Sequence, residues 1–215
     1  MSVDTNLIKS PYKREKFNQQ QIEEIVKCTQ DPQYFIENFV WIQHPVKGRL
    51  KFDLFDFQRG LLDAYHNHRY SIALISRQMG KSTAAGAYLL WYAMYVPDQT
   101  ILIAAHKYSG AQEIMQRIRF AYELLPDHVR AGCTAYNKGS LEFDNGSRII
   151  AQATTENTGR GLSISLAYLD EFAFVRPSIA REFWTSLSPT LSTGGKCIIC
   201  LLYTSPSPRD LSTSR

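Results

Sequence analysis

Residues 1–17 are polar and read as loose; from Asn18 apolar and polar positions follow a helical period, and from Leu50 they switch to alternating strands and helices. Ile22, Ile25 and Val26 form one apolar face behind Asn18-Gln19-Gln20-Gln21, whose spacing suits a capping box, so a helix starts there. Asp31-Pro32 predicts a second start, with Asp as N-cap and Pro at the first helical position. Tyr34, Phe35, Phe39 and Trp41 then supply an aromatic stripe of the kind that packs a core, and His44-Pro45 and Gly48 close the segment. From Leu50 onward the pattern predicts a helix over 57–66, a short buried strand over 70–75, a helix over 81–95, a strand over 100–105 and a long amphipathic helix over 109–124. Short strands follow at 133–136, 140–143 and 147–152, the last two joined by the turn Asp144-Asn145-Gly146. An apolar strand at 165–169, a helix at 179–187 and a final strand at 196–199 complete the reading.

Strands that are apolar throughout and separated by helices imply an α/β fold, with a mostly parallel sheet covered by helices on both faces. The hairpin makes the sheet a decorated one. Three parts are expected: a small N-terminal helical extension over 1–48, a core over 49–199, and a tail over 200–215. That tail, rich in Ser, Pro and Thr, interrupts the last strand where a turn is due, and Pro206 and Pro208 bar a regular central strand or helix there. It reads as a non-native segment joined to a truncated domain, with a natural polar terminus as the alternative.

Composition narrows the class little. At 215 residues, 44% hydrophobic and 20% charged, the chain suits one sizeable globular core. A formal charge of +4 permits a nucleic-acid partner without demanding one. The longest uncharged apolar run, Ala84 to Val96, falls short of the roughly 20 residues that span a bilayer, and the N-terminus lacks the apolar stretch of a secretory signal. Four cysteines are too few for a disulfide framework, and Cys197 and Cys200 sit in a strand-like run that suits buried small hydrophobes.

The chemistry lies in two segments. Ser76-Arg77-Gln78-Met79-Gly80-Lys81-Ser82-Thr83 runs from a strand into a helix, so backbone N–H groups and the helix dipole converge on an anion. Gly80 allows close backbone approach, Lys81 brings positive charge to the outer phosphates of a nucleotide, and the Ser82 hydroxyl suits Mg²⁺. Ile75 stands where a phosphate loop ordinarily has its first glycine, and a Gly-Lys surface turn would look similar. Asp170 and Glu171 end a later apolar strand, where an open α/β sheet holds its ligand. Asp170 can hold the Mg²⁺ and Glu171 can orient and deprotonate water; the alternative for the pair is a helix cap. The two segments together imply a P-loop ATPase of RecA-like fold. Gln58, on the helix before the loop strand, either pairs the edges of adenine or faces solvent. Arg77 either supplies positive charge to the leaving phosphates or pairs with a carboxylate.

Over roughly residues 31 to 199, the chain resembles the ATPase domain of the large terminase subunit of tailed bacteriophages. The likeness rests on Asp31-Pro32 with Tyr34-Phe35-Ile36-Glu37-Asn38-Phe39, on Phe57-Gln58-Arg59, on the loop that lacks its first glycine and carries Arg77, and on Leu169-Asp170-Glu171-Phe172-Ala173-Phe174. The resemblance implies ATP and Mg²⁺ as cofactors, Gln58 in the adenine motif, Arg77, Lys81 and Ser82 in Walker A, Thr83 beside the nucleotide, and Asp170 and Glu171 in Walker B. It implies a motor that drives double-stranded DNA into the prohead, as a ring homo-oligomer on the portal protein, with the small terminase subunit, in the host cytoplasm. Gly159-Arg160-Gly161 matches an Arg-Gly segment of the family and is either a DNA- or subunit-facing loop or a plain turn. The coupling motif expected after Ile199 and the C-terminal nuclease domain have no counterpart in this sequence, so no DNA cleavage is expected of it. A helicase-like RecA-type ATPase and a non-hydrolysing nucleotide-binding module are the rival readings.

Overall fold

The computed structural model describes residues 7–203. Two helices open the chain, α1 (Gln19–Gln30) and α2 (Pro32–Phe39). The first carries the expected capping box, with the Asn18 side chain accepting from the Gln21 N–H at 2.9 Å and the Gln21 side chain accepting from the Asn18 N–H at 3.0 Å. Asp31 caps α2 by accepting from the Gln33 N–H at 2.8 Å. An unforeseen antiparallel hairpin follows, β1 (Trp41–His44) with β2 (Gly48–Lys51), so the N-terminal segment is not wholly helical and the hairpin runs across residue 48.

Next come α3 (Asp56–Asn67), β3 (Tyr70–Ser76), α4 (Lys81–Tyr95), β4 (Thr100–Ala105) and α5 (Tyr108–Glu123). The meander β5 (Cys133–Tyr136), β6 (Ser140–Phe143) and β7 (Arg148–Ala153) leads to β8 (Leu166–Asp170), α6 (Pro177–Leu191) and β9 (Lys196–Tyr203). One seven-stranded sheet has the order β3-β9-β8-β4-β7-β6-β5. The first five strands are parallel to their neighbours, and β6 and β5 are antiparallel. Gly146, at φ +82, makes the β6–β7 turn that its sequence announced.

Alternate residues of the central strands serve two cores. Ile101, Ile103, Tyr168, Ile198 and Cys200 face the helices α2, α4 and α5 in one buried cluster, which also takes in Phe35, Ile36 and Phe39 of α2. Leu102, Ala104, Ala167, Leu169 and Cys197 face Phe183, Leu187 and Leu191 of α6 in the other. The fold is therefore a mostly parallel RecA-like sheet with helices on both faces. Its N-terminal helices share the main core; the Trp91 indole N–H on α4 donates to the Cys28 carbonyl of α1 at 2.6 Å. Cys197 and Cys200 point into different cores, which rules out a bond between them and leaves both as buried free thiols.

Two expectations need correction. The strand after Lys196 does not stop at Ile199: Cys200, Leu201, Leu202 and Tyr203 continue β9 and pair with Ala73, Leu74, Ile75 and Ser76. The ladder with β3, joined by that with β8 as far as Cys200, holds these residues in extended form. Residues 204–215 lie outside the described residues. The strand over 70–75 is not buried but lies at the sheet edge, where Tyr70, Ile72 and Leu74 are 51%, 70% and 59% exposed, because α6 does not cover it.

Candidate active site

Two loops at the carboxyl ends of β3 and β8 form the site, one strand apart, with β9 between them. The chain leaves β3 at Ser76 and turns through Arg77, Gln78 and Met79 into α4. Gln78 (φ +62) and Gly80 (φ +70) adopt left-handed backbone, and a Cβ at Gly80 would come 2.8 Å from Gln58 Nε2. Glycine is needed there for both reasons. The first N–H groups of α4, beginning at Lys81, have no partners within the helix and suit an anion. At the other loop Glu171 is also left-handed (φ +52), with its N–H donating to the Cys200 carbonyl at 2.9 Å. Backbone strain at a non-glycine residue is typical of functional positions.

The side chains converge. Lys81 Nζ lies 2.5 Å from Asp170 Oδ1, and the Ser82 hydroxyl donates to Asp170 Oδ2 at 3.3 Å. The buried Tyr168 hydroxyl donates to the same carboxylate at 3.4 Å, and burial pushes its own pKa far above the usual phenol range. Lys81 and Asp170 keep only 9% and 11% of their side-chain surface exposed, so each charge depends on the other for compensation. Glu171 is half-buried beside them. The Ser82 hydroxyl and Asp170 carboxylate are hard oxygen donors side by side, a set that fits Mg²⁺. Among the described residues no group of three or more His, Cys, Asp or Glu could hold a metal alone, so phosphate oxygens and water would have to complete its shell.

These groups face a cavity of about 580 Å³ that Arg77, Gln78, Gly80, Lys81 and Ser82 line from one side and Asp170, Glu171, Phe174 and Leu202 from another. Its third wall, from His106 and Lys107 to Arg117 on α5, was not foreseen. Polar positions on an amphipathic helix look like a solvent face, and only the tertiary fold turns these inward. Arg117 also donates to Thr83 Oγ1 at 3.0 Å and pairs with Glu113 at 3.2 Å.

The remaining predicted residues surround this centre. Arg77 is exposed, lines the cavity and makes no ion pair among the described residues. Ser76 ends β3, and Met79, 43% exposed, gives its carbonyl to Gln58. Gln58 itself is 2% exposed. Its Oε1 accepts from the Phe55 N–H at 3.1 Å and its Nε2 donates to the Met79 carbonyl at 3.2 Å. The amide thus braces the phosphate loop from beneath, and Gln58 is not among the residues that line the phosphate cavity. Gly159 and Gly161 have positive φ in a run of turns, and Arg160 between them is exposed and outside the cavity.

A strand-loop-helix phosphate site facing an acidic strand end in a parallel sheet defines the class: a P-loop NTPase. The family described as terminase large subunit, T4likevirus-type, N-terminal, matches residues 72–210, and the chain belongs to that family. That match runs past residue 199, where the sequence pattern placed a break. Among solved structures, the HK97 bacteriophage large terminase superimposes with a TM-score of 0.66 at 20% identity, over 86% of this chain and 40% of that one. The large terminase ATPase domain of Thermus phage P74-26 gives 0.56 at 21% identity, over 73% and 67%. The large terminase of another thermophilic bacteriophage, in complex with ADP, gives 0.53 at 13%, over 69% and 39%. The chain thus spans about two fifths of the length of the HK97 protein it matches.

Proposed function

We propose that this chain is the ATP-hydrolysing part of a terminase motor that drives double-stranded DNA into a viral prohead. The observation that carries the proposal is the convergence of Lys81, Ser82 and Asp170 beside Glu171, at the mouths of two parallel strands one strand apart. The thermophilic-phage large terminase crystallised with ADP and with ATP-γ-S supports nucleotide as the ligand class. Family membership supports the terminase role over a helicase-like one.

In this reading the loop N–H groups and Lys81 hold the outer phosphates. Ser82 and Asp170 would hold Mg²⁺, which would neutralise phosphate charge there. To reach phosphate the Lys81 ammonium gives up part of its contact with Asp170. Glu171 accepts a proton from water as that oxygen bonds to the outer phosphorus and the bond to the ADP oxygen breaks. Arg77 stabilises charge on the leaving phosphates from within the same loop. Double-stranded DNA, the portal protein, the small terminase subunit and further copies of the chain in a ring, in the host cytoplasm, are the partners and setting proposed with this role.

Steady-state phosphate release tests it. Glu171→Gln keeps the shape and removes the base, so turnover is expected to fall about 10²-fold or more while ATP still binds. Equal turnover in the two proteins would refute the assignment of Glu171 as base.

A further inference from the structure

We propose that Tyr168 is a positioning residue for Asp170, and that a buried chain of hydrogen bonds from Tyr65 through Cys200 holds its hydroxyl to that task. This rests on the nucleotide-hydrolysis reading above, which gives none of these three side chains a part in the chemistry. Tyr168 and Asp170 are two apart on β8 and so share a face of the sheet. Cys200 of β9 stands beside Asp170 in the parallel register. Tyr65, Tyr168 and Cys200 are all fully buried.

Each link is in place. Tyr65 of α3 puts its hydroxyl 3.4 Å from Cys200 Sγ. The Cys200 thiol in turn bonds the Tyr168 side chain, and the Tyr168 hydroxyl lies 3.4 Å from Asp170 Oδ1. The direction of the chain follows from its last member. An ionised carboxylate only accepts, whereas a phenol or a thiol has one proton to give. Tyr168 gives that proton to Asp170, so it accepts from the Cys200 thiol, whose sulfur is left to accept from Tyr65. Burial raises the pKa of all three groups, so each keeps the proton that this order needs. The far end is anchored as well, since the Tyr65 carbonyl accepts from the Tyr88 hydroxyl at 3.2 Å and from Lys196 Nζ at 3.3 Å. Hydrogen bonds in such a chain polarise and strengthen one another.

The two oxygens of Asp170 have different partners. Oδ1 takes Lys81 Nζ at 2.5 Å and the Tyr168 hydroxyl, and Oδ2 takes the Ser82 hydroxyl. While Lys81 is on Oδ1, Tyr168 is the looser donor of the two. Once the ammonium turns toward phosphate, Tyr168 is the donor that stays. It keeps Oδ1 engaged and so leaves Oδ2 on the Ser82 side, where the pair would hold Mg²⁺. Its ring belongs to a central strand of the sheet, so this hold needs no movement of the phosphate loop.

The test reads the gain in ATP affinity that Mg²⁺ brings, from equilibrium titrations with and without the metal, beside a thermal melt of each protein. Tyr168→Phe removes the hydroxyl and keeps the ring. Its gain is expected to be smaller than the parent's by about tenfold, the size of one hydrogen bond to a charged group. An equal gain in the two proteins, whatever the melts show, means that the hydroxyl serves packing alone. That result overturns the proposal and leaves the phosphate site standing. Should Tyr168→Phe not fold, the comparison moves to Cys200→Ser, which keeps a donor between the two tyrosines, and Cys200→Ala, which does not. A smaller gain in the alanine variant supports the chain, and equal gains overturn it. If ATP binding by the parent protein is indifferent to Mg²⁺, the nucleotide reading falls and takes the role of Tyr168 with it.

Discussion

Lys81 and Asp170 are 7% and 8% exposed and lie 2.5 Å apart, so neither charge can be removed alone without leaving the other in a poorly hydrated place. Breaking a buried pair from one side costs about 3–5 kcal/mol, whereas removing both charges costs much less. Lys81→Met and Asp170→Asn are each expected to lower stability in urea melts, and the double variant to be less destabilised than the sum. Simple additivity would mean that the pair is not coupled in the folded protein. The identity of these residues was legible in the sequence, because Gly-Lys-Ser after an apolar strand and Asp-Glu at the end of another are chemical patterns. Their burial was not. Exposure depends on what β9 and α5 bring over the loop, and neither neighbour is visible in the motif. Gln58 shows the same limit, since its position before the loop strand was legible, but a buried amide with both ends bonded and a free one have the same sequence.

At the scale of elements, helices with caps and periodic faces could be read directly, and α4 and β4 have the predicted bounds. The hairpin β1–β2 could not, since Trp-Ile-Gln-His lacks a clean two-residue alternation and the edge strands bury only part of their side chains. A continuous apolar run such as β3 reads as doubly buried, yet edge position leaves one of its faces bare. On α3, His66 packs edge-on against Trp91 of α4 at 5.4 Å between ring centroids, and its Nδ1 is buried without a partner. Burial, and next the Lys196 ammonium, lower its pKa below the usual 6.5, while Asp31 and Asp63 oppose this weakly. The unfolded imidazole therefore takes up a proton first as pH falls below 6.5, and stability drops with it. Thermal melts from pH 7.5 to 5.5 should show this slope, and His66→Phe should flatten it. An equal slope in both proteins would place the titration elsewhere.

For the whole molecule the consequential strand is β9, the last described element and the one inserted between β3 and β8. Its final residues pair with the strand that leads into the phosphate loop, and the Cys200 carbonyl fixes the strained Glu171. The sheet and the site are thus closed by the same four residues that the Ser- and Pro-rich sequence behind them made look foreign. A chain ending at Ile199 is expected to lose its cooperative thermal transition by circular dichroism. An unchanged melting temperature would show that β3 and β8 are held together without them. The most direct test of the central claim is an equilibrium titration of ATP into the chain with and without Mg²⁺, repeated on Lys81→Met under conditions where that variant is folded. The account predicts saturable binding that Mg²⁺ strengthens and that falls at least tenfold without Lys81. Binding indifferent to both Mg²⁺ and Lys81 would contradict it.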